Sequence, residues 1–542
     1  MDEEKVLAKY DILLGGVGGS AFCPFSGTML RMNRPLMRKQ GAKTHRDTAE
    51  EDLLMTAKTV ELCFGDDRLS VSLPERATII SPPAPLPALP HLEQAIREAI
   101  ASPINHEQIR NLVSPRSQVT IAFDDPVIPQ FPMKKPDLRE VAITILLEEL
   151  MQAGVRPHHI RLLCANALHR KFTPTELSTI LGSRIPLRFS PSHLFCHDAE
   201  DREHLIFLGE TERGIEIEVN RAVMESDQFF YVNITSLPFH GGWKSIVVGL
   251  SSYRSIRHHH RPFRGASGKS VMDARRSSFQ KLLWEMGSVV DAELARQGKR
   301  IFTIESVLNT AQPQEVIAVY AGHIPDVHEK TLDTLYQQQV VPIDRQYDVA
   351  IYGIPDQVYY ANLSTINPIL VRNQALSYAF GLYQNRPLIR EGGIAIFVHP
   401  CLPRFHPRHH PSYIEFFEQV LPHLQDPYEI WELYADDFAH RPEYVHRYRY
   451  AYGFHGVHPL ILWGQGAFPL RHLGRVFLAG ARDAETARRI GFEPFASLEE
   501  AIAEAEATLG KDCTIACLPM PPMFIPAVQE GEASAGEAKR SR

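Results

Sequence analysis

VTIAFDDPVIPQFPMKKPDLREVAITILLEELMQAGVRPHHIRLLC, residues 119–164, reads as strand, helix, strand. Val119-Thr-Ile-Ala-Phe123 is a short β-rich run, and Asp124-Asp125-Pro126 stops it with turn-forming residues. Val141, Ile145 and Leu150 are spaced to share one side of a helix over Pro136 to Ala153, with Gly154 as its C-terminal stop. Ile160 to Cys164 is the next buried strand. Strands joined through helices form parallel sheets with helices on their faces.

The same alternation runs outward from this unit. Thr173-Pro174-Thr175-Glu176 is a helix start in which Thr caps, Pro takes the first position and Glu reaches back to the cap amide. Phe229 to Asn233 and Ile246 to Leu250 continue the series. It resumes after a proline-containing stretch, Asp326 to Ile343, with Asp348 to Gly353, Gly393 to Val398, Arg475 to Gly480 and Cys513 to Cys517. Ser497-Leu-Glu-Glu500 is a second capping box. The fold class is therefore α/β: two α/β domains with mainly parallel sheets, over residues 56–330 and 345–526, and an active site in the cleft between them. Residues 1–55 read as an N-terminal extension. Its Gly15-Gly16-Val17-Gly18-Gly19 run lacks the following helix that a phosphate loop needs. The Glu/Ala/Ser/Lys-rich tail, 529–542, is expected to be disordered.

Composition narrows the function. A net charge of -7 argues against a nucleic-acid partner, since phosphate binding needs a basic surface. No apolar run is long enough to span a membrane, and the charged N-terminus lacks an apolar signal region. The seven scattered cysteines form no CxxC pair, which fits a reduced cytoplasmic setting rather than a disulfide framework. Histidine, at 25 residues, is the conspicuous metal-ligating type.

Chemistry concentrates in NITSLPFHGGWKSIVVGLSSYRSIRHHH, residues 233–260. Gly241 and Gly242 let the backbone approach a ligand closely just before Lys244. A lysine there can bind phosphate or act as a Schiff-base or acyl-accepting amine. Sixteen residues later comes His260, the end of a triplet in an Arg-rich stretch; neutral imidazole suits nickel, zinc or copper. Alone, the lysine also fits a solvated turn and the triplet a solvated or anion-binding face. His169 follows a strand and precedes a helix, which puts it at a strand's C-terminal end, where open α/β sheets bind ligands.

Phe239-His240-Gly241-Gly242-Trp243-Lys244, with His260 sixteen positions on, resembles the FSGGRK-type signature of the lactate racemase family, enzymes that use a nickel-pincer nucleotide. The resemblance extends from about Val60 to Pro526. It takes in Glu61-Leu-Cys-Phe-Gly65, the Asp124-Asp125 pair, Ala167-Leu-His-Arg170, His197-Asp-Ala199, Glu391-Gly-Gly393 and Gly491-Phe-Glu-Pro494. It implies that Lys244 carries pyridinium-3,5-bisthiocarboxylic acid mononucleotide through a thioamide and that His260 ligates its nickel. It also implies that His169 is an acid/base residue and that Asp125 lies near cofactor and substrate. Arg170, Gly241 and Gly242 become cofactor contacts. The implied activity is racemisation or epimerisation of a small-molecule 2-hydroxy acid by hydride abstraction and return at Cα, supported by cofactor-synthesis proteins.

The chain departs from the pattern at three places. Ile234 stands where the family has its second acid/base histidine, so His240 is the candidate replacement. Ile128 stands where the family has an active-site arginine, which makes lactate an unfavourable substrate; Lys134, Lys135, Arg372 and Arg404 are the basic residues that can compensate. The family's glutamine and lysine before the Glu391-Gly392-Gly393 strand have no clear counterpart. A catalytically inactive nucleotide-binding protein of the same fold is the alternative. A histidine-rich zinc hydrolase is weaker, because no HExxH spacing is present.

Overall fold

A computed structural model describes residues 58–262, 270–519 and 524–529. The expected N-terminal extension and all of the tail beyond Gln529 lie outside the described residues. The strand–helix–strand unit of residues 119–165 is the middle of a six-stranded sheet. Its spatial order is Val316–His323, Phe302–Leu308, Gln228–Thr235, Val119–Asp124, Ile160–Ala165, Leu194–Cys196. All neighbours are parallel except the edge strand Val316–His323, which returns antiparallel to Phe302–Leu308. Every residue of Val119–Asp124 and Gln228–Thr235 is buried, as expected for parallel strands covered on both faces.

The helix after Val119–Asp124 runs Leu138–Gln152 and starts two residues later than the sequence pattern suggests, because the Asp137 side chain caps it by accepting from the Arg139 amide. Its buried residues run almost all round, from Leu138 and Val141 to Ile143 and Leu146, so it is sandwiched rather than amphipathic. The Thr173–Glu176 capping box forms as read. At Ser497 only half forms: the Ser hydroxyl accepts from Glu500 N–H, while the Glu500 carboxylate turns to Ala496 N–H.

The second sheet has eight strands. Tyr347–Pro355 is central, with Ile389–Val398, Arg475–Ala479 and Glu493–Phe495 following in parallel on one side. On its other side Ile515–Leu518 pairs with its first half and the Lys58–Gly65/Asp67–Leu73 hairpin with its end. The architecture is mixed α/β with mostly parallel sheets. Two segments differ from the sequence reading. Ile246–Leu250 is no strand: Lys244–Val247 forms one helical turn, and the Lys244 carbonyl accepts from both Val248 and Gly249. A short buried apolar run does not by itself distinguish the two. Residues 324–339 form a helix, with Pro325 in its first turn, where a missing N–H costs nothing. Among the described residues no helix is long and apolar enough to cross a membrane.

Candidate active site at the strand ends of the six-stranded sheet

Three neighbouring strands deliver the side chains. Asp124 ends the middle strand and Asp125 follows it; His169 lies in the loop after Ile160–Ala165, and His240 to Lys244 lie in the loop after Gln228–Thr235. With strands about 4.8 Å apart, the two histidine loops flank the aspartates at the carboxyl end of the sheet. Asp125, His169, His240, Gly241, Lys244 and His260 all line one cavity of about 320 Å³. Tyr359, Tyr360, Leu376, Tyr378, Phe380 and Gly464 are among the other residues of its wall.

Asp125 and His169 form a dyad. The His169 ring donates from Nδ1 to Asp125 Oδ2 at 2.7 Å, which leaves Nε2 as the free lone pair, while Oδ1 accepts from Val127 N–H at 3.1 Å. The turn carrying Asp125 is clamped by Arg139, whose Nη1 donates to the carbonyls of Asp124, Asp125 and Ile128 at 3.0, 2.7 and 2.7 Å. Asp137 holds the other edge of the guanidinium, Nε at 2.9 Å and Nη2 at 2.8 Å. The His169 loop needs clamping too, because Ala167 sits at φ 47°, a left-handed conformation that costs a non-glycine residue about 1 kcal/mol or more. Ala167 N–H donates to Gly249 O, Tyr448 OH donates to Ala167 O, and His455 N–H donates to Leu168 O.

Asp124 is the carboxylate the sequence left unassigned. Tyr231 OH and Ile234 N–H donate to it at 2.9 and 2.8 Å. Burial pushes its carboxyl up to about 6, against the opposing pull of the Ile234 N–H, Lys244, Arg139 and Tyr231. The folded chain thus favours the protonated acid. Asp124 contributes stability that is fully present below about pH 3.8 and lost as the pH rises through about 6. Denaturant midpoints at pH 5 and pH 7 test this: wild type should gain roughly 1–3 kcal/mol on Asp124→Asn at the lower pH. Parallel profiles would show that the acid is not held protonated.

Gly241 and Gly242 have φ of 77° and 58°. A Cβ on Gly241 would stand 2.7 Å from Thr235 Oγ1, and one on Gly242 would stand 2.7 Å from the His328 ring. Glycine is required at both because the loop folds over a buried pair, Glu305 and His328, joined at 3.0 Å; Glu305 also accepts the Gly242 N–H at 2.7 Å. Burial alone would raise the Glu305 carboxyl, but His328 and the Gly242 N–H outweigh it and hold it below the usual carboxylate value. This places Lys244 with Nζ over the Phe239 ring at 5.2 Å and in no ion pair with a described residue. Burial lowers the Lys244 ammonium, opposed by Asp124 and Asp125, and so favours the neutral, nucleophilic amine.

Burial favours the neutral imidazole at His240, His259 and His260. Burial, then Lys244 and His169, push His260 down to about 3; burial and Lys244 hold His240 well below its ordinary value. His260 Nδ1 meets His259 Nδ1 at 2.6 Å, and the buried His259 Nε2 has no partner. His240 Nδ1 pairs with Ser236 Oγ at 3.1 Å. Among the described residues, no group of three or more His, Cys, Asp or Glu side chains is arranged to hold a metal ion.

Gly242 and Arg170 lie outside the cavity lining. Arg170 is buried, with Nη2 on Glu176 at 2.6 Å and on Leu363 O at 2.8 Å. Ile128 lines the cavity, whereas Ile234 is a core residue whose amide holds Asp124. Of the four basic residues weighed as compensation, Lys134 pairs with Glu315, Lys135 lies near Asp137, and Arg404 lines a different cavity with Asp66 and Asp356. Arg372 packs behind the wall of this one. In the stretch from Tyr444 to His458, His458 packs against His169 and Tyr360, with ring centroids 5.6 and 4.9 Å apart.

Residues 64–271 match the lactate racemase N-terminal domain family. Lactate racemase of Lactiplantibacillus plantarum is 24% identical over 280 residues, 50% of this chain and 61% of that protein. Lactate racemase of Thermoanaerobacterium thermosaccharolyticum is 21% identical over 208 residues, 37% of this chain and 46% of that protein. The chain therefore spans less than two thirds of the length of these curated relatives. The structure of the lactate racemase apoprotein from the latter organism superposes with a TM-score of 0.61 at 17% identity, covering 87% of this chain and all of that one. The chain is thus similar to the lactate racemases in its N-terminal domain, residues 64–271, and shares the fold of the lactate racemase apoprotein over most of its length.

Proposed function

We propose that this chain is a racemase or epimerase of a 2-hydroxy acid that holds a nickel-pincer nucleotide at Lys244, with His260 as the protein's nickel ligand. The observation that carries the reading is the convergence of Lys244, His260 and the Asp125–His169 dyad on one cavity. The residues fit the group: Lys244 favours the amine that amide or thioamide formation needs, and His260 is neutral. His260 would hold the nickel, for which a neutral imidazole is a suitable ligand. When bound, the cofactor supplies the acceptor for the α-hydrogen as hydride.

The chain's own residues manage the proton and the orientation. His169 Nε2 takes the substrate hydroxyl proton as the α-hydrogen leaves, and Asp125 keeps Nδ1 protonated so that Nε2 stays basic. A planar 2-keto acid results, and His240 on the opposite flank serves the other face. Gly241 gives the cofactor close approach to the backbone. Arg170 supports the His169 loop through Glu176 rather than touching the cofactor. Ile128, Phe239, Tyr359, Tyr360 and Tyr378 make the wall apolar and aromatic, which suits a 2-hydroxy acid with a larger apolar side chain better than lactate. We read the cavity as the cleft between the two α/β domains inferred from the sequence. The six described cysteines, all unpaired, suit the cytoplasm, where cofactor-synthesis proteins would load the chain.

The test is intact mass, nickel content and turnover of chain produced alongside cofactor-synthesis enzymes, with α-deuterated 3-phenyllactate, mandelate and lactate as substrates. The expected result is a mass adduct at Lys244, bound nickel, and inversion without loss of deuterium to water. An unmodified Lys244 removes the cofactor reading, and deuterium washout removes hydride transfer. Adduct and nickel without inversion of any substrate would leave a nucleotide-binding protein.

A further inference from the structure

Cys164 and Cys196 are far apart in the chain, yet the six-stranded sheet sets them side by side. Strand Ile160–Ala165 runs parallel to the edge strand Leu194–Cys196, with Cys164 and Cys196 in register. Register partners in a parallel ladder carry their side chains on one face. Their Cα atoms lie about 4.8 Å apart, inside the roughly 4.4–6.8 Å that a disulfide bridges. Both thiols are free, and they are hydrogen-bonded to each other. Elsewhere the ladders keep cysteines apart: Cys63 stands opposite Arg68, and Cys517 opposite Ile351 and Ile79.

The two sulfurs are not equivalent. Cys164 is 0% exposed within the apolar core, and burial pushes its thiol well above the ordinary value. Cys196 is part-exposed on the outer strand of the sheet, and its Sγ accepts the Phe172 N–H at 3.3 Å. The hydrogen bond from Cys164, joined by the Phe172 N–H and the Lys171 charge, outweighs burial and lowers the Cys196 thiol. Cys196 is therefore the sulfur that becomes a thiolate and meets solvent, while Cys164 keeps its proton.

The pair also brackets the loop that carries His169. Cys164 lies in the strand that enters this loop, and Cys196 Sγ holds Phe172 N–H just beyond it. Lys171 binds Asp198, two residues past Cys196, at 2.6 Å. Neither sulfur lines the active-site cavity, so the chemistry proposed above leaves both unused.

We propose that Cys196 and Cys164 form a redox modification site, with Cys196 as the sulfur that reacts with a peroxide and Cys164 as the one that closes the disulfide. The Cys196 thiolate attacks one peroxide oxygen; the O–O bond breaks, hydroxide leaves, and Cys196 becomes a sulfenic acid. The Cys164 sulfur then attacks the sulfenic sulfur. The S–S bond forms, the S–O bond breaks, and the departing hydroxide takes the Cys164 proton as water. Two electrons pass from the two sulfurs to one peroxide. A disulfide sulfur is a weaker acceptor than a thiolate, so oxidation loosens the Phe172 end of the His169 loop and reduction restores it. In a reducing compartment such a bond is transient, as redox-sensing disulfides are.

The test exposes the reduced full-length chain, without cofactor, to hydrogen peroxide, then alkylates it in denaturant and digests it with trypsin. Leu162–Arg170 and Phe189–Arg202 are tryptic peptides with one cysteine each. They should be recovered joined, two hydrogen atoms lighter than their sum, and dithiothreitol should separate them. In Cys164→Ala, Cys196 should stop at the sulfenic acid and take up dimedone; in Cys196→Ser, Cys164 should stay an unlabelled thiol. Wild type needs no variant to fold: two alkylated peptides after peroxide, or either one joined to a third cysteine, overturn the proposal. Dimedone on Cys164 in Cys196→Ser overturns the assignment of roles. Amide exchange at Phe172 should quicken roughly tenfold in the oxidised chain, and unchanged exchange removes the coupling to the His169 loop.

Discussion

His169→Gln is expected to lower the rate of Cα inversion by roughly 100- to 10,000-fold, the usual contribution of a positioned acid/base group. On the function proposed above, nickel content and the mass adduct expected at Lys244 should stay at wild-type levels. Glutamine is polar and of similar length but has no basic nitrogen to present to a substrate hydroxyl. The loss should fall on kcat, with little change in KM. Asp125→Asn should give a smaller loss, because the imidazole remains but its partner no longer fixes Nδ1 as the protonated nitrogen. Turnover at the wild-type rate in His169→Gln would remove His169 from the chemistry. Loss of the adduct in the same variant would show that it acts on loading instead.

Arg139→Met is expected to be the most destabilising single change near the site. The Arg139 guanidinium, 1% exposed, pairs with a nearly inaccessible Asp137 and ties down three carbonyls. Removing one partner of such a pair leaves the other charge buried and unpaired, a loss of roughly 3–5 kcal/mol. The denaturant midpoint should fall accordingly, and substrate turnover should fall with it, since Asp125 sits in the released turn. Arg139→Met combined with Asp137→Asn should cost less than the sum of the two separate changes, because the second substitution removes the charge that the first one strands. Additive losses would mean the pair does not act as a unit.

How much of this was legible depended on sequence distance. The Lys244 and His260 pairing lies within one short stretch, and the glycines before the lysine announce a special backbone, which the φ values of Gly241 and Gly242 bear out. The strand–helix–strand unit was readable because its strands are continuous apolar runs and its turns carry Asp, Pro and Gly. Glu305 and His328 gave no local sign: they meet the glycine loop only because Phe302–Leu308 pairs with Gln228–Thr235. Choosing between Asp124 and Asp125 was also beyond the residue pattern. The two are chemically identical neighbours, and strand phase alone turns one toward Tyr231 and the other toward His169. The apolar run Ile246–Leu250 misled because burial, not extension, made it apolar. The aromatic wall from Tyr359 to Tyr383 showed no spacing that could tie it to Lys244.

Two of the three hydrogen bonds that restrain Ala167 and Leu168 come from Tyr448 and His455, nearly 300 residues further along the chain. A fragment ending at His323 would keep all six strands, Lys244, His260 and the aspartates. Of the three contacts that hold the His169 loop in its strained turn, it would keep only the one to Gly249. The site therefore has two authors in the sequence. Exchanging the first half alone between relatives should give chimaeras that fold around their own sheet yet position His169 poorly, unless the Tyr448 and His455 contacts travel with it.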